Sequence, residues 1–141
     1  MRGNHKDLLL FRPAFDIKGR DLLVQLVNSP YAIYLQIKGT AVRRGTDSVR
    51  FHIRRNTFVP ADDSWLGFHF WDGRSGAEFP ECWMVPSLEL ARRTAHQTDP
   101  VYITFDARLD PSVDQWADYR VPIHDQAEVL RRALHGLRVA A

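Results

Sequence analysis

The sequence predicts one domain of the α+β or mixed α/β class, and two observations lead to that prediction. Strand-like segments with β-branched and aromatic residues dominate residues 21–86, whereas helical patterns occur only after Pro86 and near the C-terminus. The length of 141 residues suits a single core, and 45% hydrophobic with 26% charged residues is typical of a globular chain. We therefore expect residues 1–141 to form one central sheet flanked by helices.

The first predicted element is a β-hairpin. Residues 21–27 (DLLVQLV) and 32–42 (AIYLQIKGTAV) alternate like strands, and the turn-forming sequence NSPY lies between them. Because neighbouring residues of a strand point to opposite faces, Gln36 and Lys38 share one face of the second strand. A long amide and an amine on an otherwise apolar strand indicate either a solvated face or a site.

The register of this hairpin follows if Val27 faces Ala32. One face is then wholly apolar, with the pairs Leu22–Ile37, Val24–Leu35 and Leu26–Ile33. On the other face Asp21 lies opposite Lys38, two residues from Gln36. This register separates apolar from polar residues, whereas a slip by one residue would mix them.

The middle of the chain contains three further strand patterns and a helix. Residues 48–55 (SVRFHIRR) alternate apolar with basic residues, so we expect a strand that extends the sheet and has a basic outer face. Residues 65–72 (WLGFHFWD) and 82–86 (CWMVP) are aromatic and strand-like, and most of their aromatic side chains should lie in the core. Ser87 is a suitable N-cap for a short helix after Pro86.

The C-terminal part predicts one more strand and a closing helix. Residues 101–107 (VYITFDA) are strand-like, and residues 108–124 read as a loop with one turn. Asp125 and Glu128 form a capping pattern before the last helix. That helix carries one apolar stripe, formed by Val129, Leu130, Ala133, Leu134 and Leu137.

Charge is distributed unevenly although the net charge is only +2. Residues 36–58 hold six basic residues and one acid. A phosphate-binding surface is one interpretation, and its candidate substrate-binding residues are Arg43, Arg44, Arg50 and Arg54. A plain exposed strand face is the other interpretation for Arg50 and Arg54.

The cysteine content and the apolar segments bear on where the protein is located. The single cysteine, Cys82, has no internal partner for a disulfide, and no apolar run approaches the roughly 20 residues of a membrane span. The short N-terminal apolar stretch is followed by Arg12 and Pro13, which is a poor signal-peptide core. We expect a cytoplasmic protein with no membrane partner.

One predicted cluster has suitable chemistry: Asp21, Gln36 and Lys38 on one face of the hairpin. A carboxylate is a hard oxygen ligand that Mg²⁺ prefers, and an amide carbonyl can add to its shell. A lysine beside the metal can orient a water or stabilise charge on a phosphate. The alternative is a cross-strand ion pair on a solvated face.

These residues resemble the pattern of a known family. The arrangement D-(x)14-Q-x-K, the run RPAFDIKGRDLLVQ before YLQIKGT, and the later CWMVPSLEL are similar to the PD-(D/E)XK nuclease superfamily. That superfamily includes restriction endonucleases, Holliday-junction resolvases and small bacterial domains of unknown function. The resemblance covers roughly Leu10 to Leu90 and implies a restriction-endonuclease-like fold with a mixed central sheet.

The resemblance also implies an activity and a role for each matching residue. It implies a Mg²⁺-dependent (or Mn²⁺-dependent) endodeoxyribonuclease that hydrolyses phosphodiester bonds of DNA. Asp21 matches the metal-binding aspartate, Gln36 stands where the family has Glu, Asp or Gln, and Lys38 matches the catalytic lysine. Asp16 lies upstream and would assist at the metal.

Two departures from the family pattern leave alternatives open. Gln36 carries no negative charge, and the family often has a helix with a glutamate before the first core strand, whereas Asp7 is the only acid before Asp16. The first alternative is a non-catalytic module that binds nucleic acid or assembles with a protein. The second is a homodimer or a partner subunit that supplies the missing acid.

Overall fold

The computed structural model describes residues 7–12, 21–43 and 45–140. These residues form a mixed six-stranded sheet, a two-stranded sheet and two α-helices, which confirms the mixed α and β class. The strands are β1 (Leu8–Phe11), β2 (Leu22–Leu26), β3 (Ala32–Val42), β4 (Ser48–Arg54), β5 (Ser64–Asp72), β6 (Glu81–Pro86), β7 (Tyr102–Arg108) and β8 (Arg120–Pro122). The helices are α1 (Ser87–Arg93) and α2 (Gln126–Ala140).

The main sheet has the order β1-β2-β3-β5-β6-β8. Strands β1, β2 and β3 form an antiparallel meander, and β5 then lies parallel to β3 over its whole length. Strands β6 and β8 continue the sheet in antiparallel pairs. The two long parallel strands, β3 and β5, therefore occupy the centre and end at the same edge.

The β2–β3 hairpin forms as predicted, but its register differs from the predicted one by two residues. Leu22 pairs with Leu35 instead of Ile37, so the predicted opposition of Asp21 and Lys38 is wrong. Because the shift is even, each residue keeps its face. The predicted separation into an apolar and a polar face is confirmed, while every predicted cross-strand partner moves by two positions.

The cause of the shift is a longer connection than the four-residue turn of the prediction. The last pair is Gln25 with Ala32, so the pairing stops one residue before β2 ends, and residues 27–31 connect the two strands. Asn28 adopts a left-handed φ of 61°, and the N–H of Ser29 donates to the Leu26 carbonyl. Asparagine tolerates this conformation better than most residues, so the chain reverses here without a glycine.

Strand β4 forms as predicted but does not extend the main sheet, which corrects that expectation. It pairs antiparallel with β7, and together they make the two-stranded sheet that we call the ribbon. The alternating pattern of β4 is satisfied because Val49, Phe51 and Ile53 are buried beneath the ribbon. A strand with one apolar face can pack on top of a sheet or be part of that sheet. The alternating pattern alone therefore does not distinguish the two arrangements.

The ribbon covers one face of the main sheet through an aromatic core. The ring of Phe68 on β5 stacks on Phe105 of β7 with centroids 4.0 Å apart, and Phe51 of β4 lies 5.0 Å from Phe68. Trp83 of β6 is fully buried in the same core. Helix α1 adds Leu90 to this layer.

Helix α2 covers the other face, as its apolar stripe predicted. Leu130 and Leu134 are buried against strands β2, β3 and β6. The remaining residues of the predicted stripe, Val129, Ala133 and Leu137, pack against the same cluster. None of the helices described here is long and apolar enough to span a membrane.

Two local predictions need correction. Ser87 is not an N-cap: it lies inside α1, its side chain is fully buried, and its hydroxyl bonds both the N–H and the carbonyl of Ala61. The predicted loop of residues 108–124 contains strand β8 and two short 3₁₀ turns. Buried Asp114 fixes this segment by accepting a hydrogen bond from Trp83 Nε1 at 2.8 Å.

Candidate active site

Asp21 lies just before β2, and β3 holds both its backbone and its side chain. Its N–H donates to the Leu35 carbonyl at 3.0 Å, and its Oδ2 accepts the N–H of Ile37 at 2.7 Å. Strand β2 covers β3 only as far as Leu35, so the next amides of β3 need another acceptor. The carboxylate supplies one and is thereby fixed between Gln36 and Lys38 along β3.

Gln36 occupies an interface instead of a solvated face. Its side chain points to the ribbon side of the sheet, where its register partner on β5 is the buried Leu66. Only 8% of Gln36 is exposed, and its amide makes no hydrogen bond to any residue in the described ranges. Continuing the observed register by one residue from Leu22 brings Asp21 alongside Gln36.

Lys38 projects from the same face two residues further along β3. It is half-buried, and its register partner on β5 is Phe68. No ion pair joins its ammonium to a carboxylate within the described part of the chain. The structure therefore brings Asp21, Gln36 and Lys38 to one stretch of β3, with Asp21 beside Gln36 instead of opposite Lys38.

The described donor set for a cation is small. In residues 7–12, 21–43 and 45–140, no three side chains of His, Cys, Asp or Glu are placed to hold a metal ion. Asp21 Oδ1 and the amide oxygen of Gln36 are the oxygen donors at the site. Asp16, the third predicted metal ligand, lies outside the described residues.

The four predicted substrate-binding arginines are divided by the structure. Arg50 pairs with Asp106 across the ribbon at 2.7 Å, and this hydrogen bond raises the pKa of Arg50 above its usual value. Arg54 stacks on the ring of Tyr102, with 5.9 Å to its centroid. Both lie on the outer surface of the ribbon, while Arg43 is exposed at the end of β3.

The remaining predicted position, Arg44, lies outside the described residues. Arg55, also in the basic stretch, donates to the carbonyls of Gln97 and Asp99 and therefore has a structural role. Much of the positive charge counted in residues 36–58 is thus already engaged by neighbouring groups. Charge counting along the sequence overestimates the free cationic surface.

Sequence reasoning missed two features of this region. The first is the Ile37 amide as partner of Asp21, and the signal for it was the greater length of β3 beyond β2. The second is Gly39, next to Lys38. A Cβ at Gly39 would lie 2.7 Å from Cζ3 of Trp71, so the absence of a side chain lets the indole lie on β3.

Comparisons of the chain with protein-family models, with curated proteins and with solved structures found no match.

Proposed function

We propose that this chain is a metal-dependent nuclease-like domain that acts on phosphodiester bonds of DNA. The observation that carries the proposal is the hydrogen bond of 2.7 Å from the Ile37 amide to Asp21 Oδ2. It fixes the Asp21 carboxylate on the stretch of β3 that carries Gln36 and Lys38, an amide and an amine two residues apart. The resemblance to the PD-(D/E)XK pattern supports the same assignment of these three residues.

The donor chemistry at the site fits a hard divalent cation, Mg²⁺ or Mn²⁺. Asp21 Oδ1 and Gln36 Oε1 are oxygen donors, and Mg²⁺ usually keeps several waters beside one or two carboxylates. When bound, such a cation would stabilise negative charge on the phosphoryl group and activate a water. Because Gln36 is neutral, we expect weak binding by the described donors, to which Asp16 would add a charge.

The chain's own residues would prepare this site for a phosphate. Asp21 is already oriented, because one of its oxygens is bound to the Ile37 amide while the other is left for a ligand. Lys38 has no ion-pair partner in the described ranges, so its ammonium is available to an anionic oxygen. A fixed acceptor and a cation at one place are the elements that electrostatic stabilisation of a transition state requires.

The second candidate is a non-catalytic module that binds nucleic acid or assembles with a protein. Burial of the neutral Gln36 at the position of an expected acid favours it. Binding of DNA that falls steeply with salt concentration but needs no divalent cation would support this candidate. Absence of DNA binding would leave assembly with a protein.

Replacement of Lys38 by alanine tests the proposed activity. We expect Lys38→Ala to reduce Mg²⁺-dependent cleavage of plasmid DNA by about 100-fold or more, because it removes the ammonium from the reacting phosphate. The matched control is Arg132→Ala, which removes an exposed cation from α2. Circular dichroism of both variants would show that the fold is retained.

A companion variant separates charge from structure at Asp21. Asp21→Asn keeps an oxygen for the Ile37 amide but loses the negative charge, so it should fold normally and bind Mg²⁺ more weakly by calorimetry. Cleavage by Lys38→Ala at the parent's rate would overturn the proposed mechanism. Equal Mg²⁺ binding by Asp21→Asn and the parent would overturn the assignment of the metal ligand.

A further inference from the structure

Trp71 is a large aromatic side chain that the ribbon-side and helix-side cores leave partly in solvent. It lies near the end of β5, opposite Ala41 of β3, and 38% of it is exposed. Three other aromatics of β5 and β6, Phe68, Phe70 and Trp83, are almost fully buried, and Trp65 is partly buried. An indole exposed at the end of two central strands offers both an apolar ring and an N–H to a ligand.

Gly39 gives this indole a defined position. The ring of Trp71 reaches back across β3, and a Cβ at Gly39 would lie 2.7 Å from Cζ3 and 3.1 Å from Cη2. Real Cβ atoms do not approach a ring so closely, so a side chain at position 39 would force the indole to move. The edge of the six-membered ring, at Cζ3 and Cη2, meets β3 at Gly39, which fixes the position of the partly exposed indole, which we call the platform.

Positive charge lies next to the platform. A cleft of about 550 Å³ is lined by Ala41, Val42, Arg43, Gly73 and Arg74, where β3 and β5 both end. Arg43 and Arg74 are exposed, and neither guanidinium pairs with a carboxylate of the described residues. Both arginines are therefore free to bind an anion.

The acidic groups near the platform are already engaged. Glu78, which bridges to Trp71 through the backbone, contacts His69 Nδ1 at 3.3 Å. The Asp72 carboxylate accepts the backbone N–H of Arg74 at 2.8 Å and so closes the turn after β5. Both carboxylates keep their negative charge but are turned to these partners, whereas the guanidinium groups of Arg43 and Arg74 have no such partner among the described residues.

We infer that Trp71, Arg43 and Arg74 bind an unpaired nucleotide of a nucleic acid strand, with its base on the indole and its phosphate on the guanidinium groups. An indole stacks on the face of a base only when that base has left the duplex stack, and aromatic platforms with cations are typical of single-strand binding. The choice of nucleic acid rests on the proposed function. The site lies on the opposite face of β3 from Lys38, so it can be tested separately.

Binding of a short fluorescent oligothymidylate, compared with a duplex containing the same strand, tests this inference. The full chain should bind the single strand more tightly than the duplex. Trp71→Ala should weaken single-strand binding by about 5- to 150-fold, the effect of losing one base–aromatic stack. Trp71→Phe should retain most of the affinity, and Phe11→Ala, which truncates an exposed aromatic on β1, should leave it unchanged.

Two further variants test the geometry. Gly39→Ala should displace the indole and weaken binding, with a change in tryptophan fluorescence in the free protein. Replacing Arg43 and Arg74 together with alanine should reduce the slope of log affinity against log salt by about 1 to 2, since each phosphate contact contributes roughly 0.7. Arg132→Ala serves as the control for loss of an exposed cation.

The outcomes separate this inference from the proposed function. Binding of the single strand that depends on Trp71, with no cleavage of DNA by the parent, would support the platform and reject the nuclease. Cleavage with unchanged binding by Trp71→Ala would do the reverse. Preference for the duplex, no binding of either form, or self-association that depends on Trp71 would overturn the inference.

Discussion

The two faces of β3 differ in a way that hydrophobicity alone does not predict. On the ribbon side, the polar Gln36 is 8% exposed, whereas its neighbour Ile37, on the side of α2, is 41% exposed. The ribbon-side core includes Val42 at the end of β3, while the helix-side core includes Ile33 and Leu35 near its start. The comparison shows that coverage by a second layer, and not the side chain's own polarity, decides burial at the centre of this sheet.

This inversion has a functional meaning. Gln36 places a polar amide, still reached by solvent, at the edge of the ribbon-side core, where an apolar side chain of similar size would add to the core. The exposed Ile37 contributes little to the core, but its backbone amide holds Asp21. Gln36 and Ile37 thus add less to stability than their positions on β3 allow. Such departures from simple packing are expected at a functional site.

The largest expected effect on the difference between the two faces comes from weakening the packing of the ribbon on the sheet. Phe105 stacks on Phe68 at 4.0 Å and also contacts Phe51 and Trp83. We expect Phe105→Ala to reduce the free energy of unfolding by about 3–5 kcal/mol, because it leaves a cavity between the two layers. Urea denaturation followed by tryptophan fluorescence measures the loss.

A matched truncation on the other face sharpens that result. Leu134→Ala removes an equally buried side chain from α2, and we expect a loss of about 2–5 kcal/mol. If the ribbon alone closes the Gln36 face, only Phe105→Ala should also make that face accessible in hydrogen exchange at β3. Equal exchange at β3 in both variants would contradict this view of the ribbon.

A smaller effect is expected from replacing Gln36 itself. Gln36→Leu should raise the free energy of unfolding by up to about 1 kcal/mol, since an apolar group of similar volume replaces a largely buried amide at the edge of the ribbon-side core. The same variant should lose Mg²⁺ binding, because the amide oxygen is gone. Thermal unfolding and calorimetry on one preparation measure both consequences.

The control for this prediction is the neighbouring residue. Ile37→Gln changes an exposed side chain but keeps the backbone amide that binds Asp21, so its stability should differ from the parent's by less than about 0.5 kcal/mol. A destabilised Gln36→Leu would indicate that the amide has a structural partner. In that case the inversion between the two faces would not mark a site.

The faces of β3 were predictable from the sequence, whereas their partners were not. Period-2 alternation assigns each residue of β3 to a face regardless of register, so an error of two residues left Gln36 and Lys38 on the correct side. The register depends on the turn, where the left-handed Asn28 extends the connection. That conformation is set by local packing and has no unique sequence signal.

The packing of the ribbon on the main sheet was also not predictable from the sequence. The pattern of β4 fits an edge strand and a ribbon equally well, and only contacts with residues far along the chain, such as Phe105, place it. Strand β8 has three residues, which is too short for a periodic signal. Trp71 was expected in the core because aromatic residues usually are, and its exposure depends on where α2 and the ribbon end.

The smallest expected effect is on stability at low pH. It concerns the ion pairs of α1, at the edge of the ribbon-side layer. Glu89 in α1 accepts hydrogen bonds from Arg92 and Arg93, which lower its pKa from 4.5 to about 2. Arg93 also donates a hydrogen bond to Asp118 and so links α1 to the segment after β7. The helix-side border is instead held by Arg131 and its contacts with Asp7.

The sign of the pH effect follows from the lowered pKa. Glu89 stabilises the folded chain above pH 4.5, and this contribution is lost as the pH falls from 4.5 towards 2, because the folded state must then take up the proton. Glu89→Gln lacks the charge at every pH, so urea denaturation should show a stability difference that narrows across this range. High salt should reduce the difference at neutral pH, since the Arg92 partner is largely exposed to solvent. A difference that stays constant down to pH 2 would show that Glu89 acts through packing and not through its charge.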